Sequence, residues 1–290
     1  MAGISHLLGE WRRDLLSRGR SQRTVAGYLK DVEAFARWWE RTTEREFDPC
    51  AVLRDDAALY RQDLLGERRQ RPATVARALS ALRSFYRFLV ARGTVARSPL
   101  DGLPLPTAER GAPRALQAAE LRRLLREAYA SGNILHRAVV VTLAYTGLRA
   151  GELCSLHLED VRLAQRKGEL VVRGKGGRVR RVPLPAEARR VLREYLLVRG
   201  DVPWRQLFVG QRGPLTPGGV WTIVRTLARR ARLEGVTPHT LRHTYATRLL
   251  REAGADLVIV AELMGHRSLA TTARYTRPRK EEMEEAVERL

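Results

Sequence analysis

The stretch SPLDGLPLPTAERGAP, residues 98–113, forbids one continuous helical core. Pro99, Pro104, Pro106 and Pro113 each lack a backbone N–H and hold φ near −65°, so no helix runs through it and the chain is semi-extended there. It therefore reads as a linker between residues 1–97 and 114–290. A length of 290 residues agrees, since it predicts about two domains at ~150 residues each.

The two halves differ in texture. In SQRTVAGYLKDVEAFARWWER, Val25, Tyr28, Leu29, Val32, Phe35 and Trp39 share one helical face, with Ser21 as N-cap. RPATVARALSALRSFYRFLVARG repeats the pattern through Val75, Leu79, Leu82, Phe85, Tyr86 and Leu89, starting near Pro72 and closing at Gly93. With shorter helices near 5–17 and 55–66, residues 1–97 form a small all-helical domain. After the linker, helices are predicted near 117–130, 134–146, 186–199, 217–233, 239–253, 256–264 and 269–275. They are interrupted by ELVVRGKGGRVRRVPL, two β-rich runs around a Gly-rich turn, which predicts a hairpin. The fold class is mainly α with a small β-sheet (α+β).

The formal net charge of +21 points to a polyanionic partner, whose counterions a basic surface releases on binding. Residues 1–113 carry 20 basic and 14 acidic side chains, and residues 114–290 carry 33 and 18, so the surplus lies mainly in the second half. Nucleic acid is the leading partner. No apolar run approaches the ~20 residues that cross a bilayer, and MAGISHLLGEWRRDLL lacks the features of a signal peptide, so a cytoplasmic protein without membrane contact is expected. Cys50 and Cys154 match no metal or redox spacing and suit a reducing compartment.

Four clusters carry chemistry: TGLRAGEL with Arg149 and Glu152, RGKGGR with Lys175, HTLRH with His239, Arg242 and His243, and MGHRSLATTARYT with His266 and Tyr275. Singly, each has a bland reading as a solvated arginine, a hairpin-tip charge, a turn cap or a packing tyrosine. His239 and His243 at i, i+4 could face a zinc ion, but Thr240 stands where the metalloprotease pattern needs Glu. Jointly, the set supplies what metal-free attack on a phosphodiester requires. Two guanidinium forks, Arg149 and Arg242, suit the neutralisation of the non-bridging oxygens. A leaving alkoxide needs a proton, which Arg cannot release but Lys can. The chain holds 49 Arg and only four Lys, so Lys175 in a Gly-rich turn is the candidate donor. Tyr275 offers the attacking hydroxyl.

In these motifs, and in TPHTLRHTYATRLLREAGADLVIVAELMGHRSLATTARYT, the chain resembles the tyrosine recombinase (phage integrase-like) family, most closely its bacterial Xer-type members. The resemblance implies a helical N-terminal DNA-binding domain followed by a catalytic domain, 1–97 and 114–290. It implies a site-specific recombinase that cleaves duplex DNA through a covalent 3′-phosphotyrosine, without cofactor, metal or ATP. Arg149 and Arg242 would clamp the scissile phosphate, Lys175 would protonate the 5′ oxygen, and His239 and His266 would hydrogen-bond the phosphate. His239 could also aid proton removal, Tyr275 would be the nucleophile, Glu152 a supporting carboxylate, and His243 structural. Expected partners are a double-stranded DNA recombination site, further recombinase subunits in a homo- or hetero-tetramer, and a DNA translocase. The same chemistry serves type IB topoisomerases and telomere resolvases, and a non-catalytic integrase-like binder would share the fold.

Two departures stand out: Thr276 is followed by Arg277 and Pro278 where many relatives have His, and Met264 replaces a commoner Leu at little cost in volume. Beyond Lys280, Met283, Ala286, Val287 and Leu290 form a narrow apolar stripe flanked by Glu281, Glu282, Glu284, Glu285 and Glu288. A helix over about 280–290 is too short to stand alone, so it is expected to dock, by resemblance on a neighbouring subunit.

Overall fold

The computed structural model describes residues 2–106, 114–174, 177–266 and residue 272. The chain divides into two compact units between Arg110 and Gly111.

The first unit holds four helices, α1 (Ala2–Ser17), α2 (Gln22–Thr43), α3 (Arg54–Leu65) and α4 (Pro72–Ala91). The side chain of Ser21 accepts the Thr24 amide and starts α2, as expected, and Pro72 occupies the first turn of α4, where its missing N–H costs nothing. The predicted faces point inward. Val75, Leu79, Leu82, Phe85, Tyr86 and Leu89 are all buried, joined by Trp11, Val32, Phe35 and Tyr60. Trp11 meets Phe85 edge-on at 5.2 Å and Phe35 meets Tyr60 at 5.0 Å, so the core is cemented by large rings that stabilise by roughly 1.5–3 kcal/mol each on burial. Leu100 and Leu103, from the stretch read as a linker, are buried in this same core.

The second unit begins with α5 (Ala118–Ala130) and α6 (Ile134–Thr146). Residues Ala138 to Ala144 of α6 are buried without exception, because α5, α8 (Ala186–Arg199), α9 (Pro217–Arg230) and α10 (Pro238–Arg251) pack around it. Val139, Val140 and Val141 would favour a strand by propensity, yet a helix apolar on every side is the one that sits at the centre. Three antiparallel strands follow the short helix α7 (Ala150–Cys154), in the order β1 (Val161–Leu163), β2 (Gly168–Arg173) and β3 (Val179–Pro183). The β2–β3 hairpin is the expected one, while β1 adds a strand that has no alternation signal in three residues. Two further two-residue strands, β4 (Val209–Gly210) and β5 (Gly213–Pro214), form a separate ladder. Helix α11 (Leu257–Met264) follows α10, capped by Asp256 and ending at Gly265. Among the described residues the molecule is mainly helical with small sheets, and no helix is long and apolar enough to cross a membrane.

Candidate active site

Helix α6 stops at Gly147, which adopts φ +61° and turns the chain into α7. Arg149 is the N-cap of α7, and Glu152 three residues on accepts the Arg149 backbone amide at 2.8 Å, so the carboxylate is fixed by satisfying an otherwise orphan donor. Its other oxygen accepts Nη1 of Arg149, also at 2.8 Å. The Arg149 side chain is 49 % exposed and overhangs a cleft of about 670 Å³.

Helix α10 brings the second arginine. Thr237 caps it, accepting the Thr240 amide, and Pro238 occupies its first turn. The expected face is partly reversed: Leu241 is buried and Tyr245, Leu249 and Leu250 are half-buried, but Arg242 and His243 are buried as well. Only 2 % of Arg242 is exposed. Its Nη1 donates to the Gly147 carbonyl and its Nη2 to that of Met264, each at 2.6 Å, which sets the guanidinium plane between the ends of α6 and α11. Nη1 also lies 3.8 Å from Glu152 Oε2. The carboxylate is thus common to both arginines.

Sequence reasoning missed a third arginine. Arg180 on β3 sends Nη1 and Nη2 to the two Glu152 oxygens at 3.1 and 2.8 Å, and its Nε to the Leu263 carbonyl at 2.9 Å. The signal was present, because alternation along VRRVP puts Arg180 on the same inward face as Val182. Burial works to raise the Glu152 pKa, but hydrogen bonds from Arg180 and the Arg149 amide, with both guanidinium charges, hold it down at about 2. Three guanidiniums against one carboxylate leave a net charge of +2 around it.

Two histidines complete the cluster. His266 follows Gly265, and its Nδ1 lies 2.7 Å from the Thr272 hydroxyl, a partner not anticipated from the sequence. Burial, then the charges of Arg242, Arg149 and Arg180, depress its pKa to about 4, so the ring is neutral at neutral pH. His239 shifts in the same direction through burial, Arg242 and Arg149. Its ring meets that of His243 edge-on at 4.1 Å. Among the described residues no group of three or more His, Cys, Asp or Glu could hold a metal ion.

Arg149, Glu152, Arg242, His239 and His266 are therefore brought together. The cleft wall also includes Gly174 and Arg178, which close the base of the β2–β3 hairpin through a 2.7 Å bond. Lys175, next to Gly174 in the sequence, and Tyr275 lie outside the described residues, as does the expected helix at 280–290. Cys50 and Cys154 are free thiols, one in each unit.

The sequence matches the model of the phage integrase family over residues 114–282 and that of the phage integrase N-terminal SAM-like domain over 8–93. It is 38 % identical over 270 residues to "Tyrosine recombinase XerC" of Roseiflexus castenholzii, covering 89 % of this chain and 84 % of that protein. "Tyrosine recombinase XerD" of Caulobacter vibrioides is 37 % identical over 274 residues, covering 90 % and 88 %. Among solved structures, XerH site-specific recombinase bound to its difH substrate superimposes with a TM-score of 0.75 at 24 % identity, over 93 % of this chain and 80 % of that one.

Proposed function

The chain belongs to the phage integrase family and is a tyrosine recombinase of the Xer type, and from that premise we propose how its own residues cut and rejoin DNA at a specific site. Tyr275 attacks the scissile phosphorus; its oxygen–phosphorus bond forms as the bond to the 5′ oxygen breaks. Lys175 delivers the proton that the leaving 5′ oxygen takes up, and the product is a 3′-phosphotyrosine with a free 5′-hydroxyl. Arg149 and Arg242 neutralise the non-bridging oxygens while charge builds on them, a task that a metal ion performs in other phosphoryl-transfer sites. Neutral His239 and His266 hydrogen-bond the same oxygens, and His239 takes up the proton that the tyrosine hydroxyl gives up as it attacks. The phosphotyrosine keeps the energy of the broken bond, so rejoining needs no ATP. The observation that carries this reading is the shared carboxylate: Glu152 bonds Arg149 and lies 3.8 Å from Arg242, with His266 in the field of both.

The substrate is a double-stranded recombination site, contacted by the helical domain 1–97 as well as the catalytic domain 114–290. Four subunits, identical or paralogous, assemble on paired sites in the cytoplasm, with a DNA translocase as a further partner. The apolar stripe of residues 281–290 docks on the neighbouring subunit. Deleting those ten residues is expected to leave binding to one site intact and to abolish tetrameric complexes and recombination, read by gel shift and strand-exchange assay. Wild-type rates in the truncated protein would remove the tail from the mechanism.

A suicide duplex nicked beside the scissile phosphate tests the chemistry. Wild-type protein should form a covalent adduct in EDTA, and Tyr275→Phe should bind the same duplex without forming one. An adduct in that variant would assign the attack elsewhere. Exchange of strands between two duplexes, rather than relaxation alone, separates recombination from topoisomerase action.

A further inference from the structure

Among the described residues only two arginines are buried, Arg242 and Arg180. Arg180 lies opposite Val172 in the β2–β3 register, on the face that also buries Leu170 and Val182. A charge in such a place is costly unless it is paired and its donors are satisfied. Three of its nitrogens are accounted for, by both oxygens of Glu152 and by the Leu263 carbonyl. The backbone has been pressed against it as well. A Cβ added to Gly265, itself at φ +62°, would stand 2.8 Å from Nη1 and 3.3 Å from Cδ, so that close approach requires glycine.

One guanidinium therefore joins three segments that the reaction uses: the strand at the base of the hairpin turn, the carboxylate that holds Arg149, and the end of α11 that leads into His266. Resting on the recombinase reading above, we propose that Arg180 is a positioning residue that sets Arg149 through Glu152, so that its loss disarms the phosphate clamp rather than proton delivery from the hairpin. Lysine cannot replace it. A single ammonium point charge cannot fork both carboxylate oxygens while a third donor holds the Leu263 carbonyl.

The test compares Arg180→Lys and Arg180→Gln with the wild type in single-turnover cleavage of three nicked duplexes. One carries the native phosphodiester. The second carries a methylphosphonate, in which a neutral methyl replaces one charged non-bridging oxygen and less charge needs neutralising. The third carries sulfur at the 5′ bridge, a leaving group that needs no proton. Rates are compared as ratios within one protein preparation, which divides out any loss of folded fraction. The native duplex should be cut ~10²-fold more slowly, the scale expected when a clamp is displaced by about 1 Å, and the methylphosphonate less than about 10-fold more slowly. The 5′-sulfur duplex should keep the native deficit. Equal slowing on all three, or no slowing, would reduce Arg180 to a fold-supporting residue. Recovery on the 5′-sulfur duplex would assign it to the hairpin and overturn the proposal. Failure of wild-type protein to form any adduct would instead sink the recombinase reading, a result distinct from all of these.

Discussion

Glu152 and His266 are the residues whose ionisation most links the site to the stability of the fold. Glu152 ordinarily titrates near 4.5 and is held at about 2 when folded, so the unfolded chain takes up the proton first as pH falls. Its contribution, on the order of 3 kcal/mol, is present above 4.5 and is lost between 4.5 and about 2. His266 moves from 6.5 to about 4 on folding, and again the unfolded state binds the proton first. Its contribution is full above 6.5 and fades between 6.5 and about 4. His239 and His136, both lowered first by burial, act in the same direction. Urea midpoints are therefore expected to fall steadily from pH 7 to pH 4, with a shallower fall in His266→Gln. An unchanged slope in that variant would mean that the ring titrates normally in the folded protein. Arg149 and Arg242 stood out in the sequence because two guanidiniums suit the oxygens of one phosphodiester, and in the structure both meet at Glu152. Arg180 was hidden because 49 arginines mask one that points inward, and only the alternation of β3 marks it out.

At the scale of elements, the junction of α6 with α7 carries the site. Gly147 ends α6 at φ +61°, donates its amide to the Leu143 carbonyl, and lends its own carbonyl to Arg242. An added Cβ there would lie 2.3 Å from Cδ1 of Tyr245 on α10. Gly147→Ala therefore suffers both the left-handed backbone and a clash with a packed ring, a loss of more than about 2 kcal/mol. Gly254 has nearly the same backbone, φ +62°, and open space around it, so Gly254→Ala isolates the conformational part at about 1 kcal/mol. Thermal melts should show a drop of at least roughly 4–8 °C for the first and roughly 2–4 °C for the second. Equal drops would show that Tyr245 yields freely, and that only backbone conformation matters at the junction. The long helices were legible because three or more turns of apolar spacing leave a periodic trace, as in α2 and α4. Helix α7, with five residues, and β1, with three, offer no such trace. Each is held by partners outside itself: Glu152 of α7 by Arg180, distant in sequence, and β1 by its ladder to the neighbouring β2.

For the whole molecule, two separate cores and an uneven charge lead to one expectation about DNA. The buried clusters of the two units share no residue, so each unit has the means to fold by itself. Residues 1–110 and 111–290 should each unfold cooperatively as isolated fragments, which calorimetry can check before any binding is measured. Their charges differ, because 20 basic and 14 acidic side chains in the first leave +6, whereas 33 and 18 in the second leave +15. Binding to a polyanion releases one condensed counterion for nearly every phosphate neutralised, so log K falls against log salt with a slope of about −0.9 per phosphate contact. Net charge in excess of what solubility requires is useful only where it meets phosphate, and most of the excess lies in the second unit. Anisotropy titrations on one duplex, from 50 to 200 mM salt, should therefore give a steeper slope for 111–290 than for 1–110. The full chain should be steeper than either and lose ~10³-fold or more in affinity over that range. If the two fragments give equal slopes, the surplus arginines of the second unit belong to its solvated surface, and the helical unit carries as much of the backbone contact as the catalytic one.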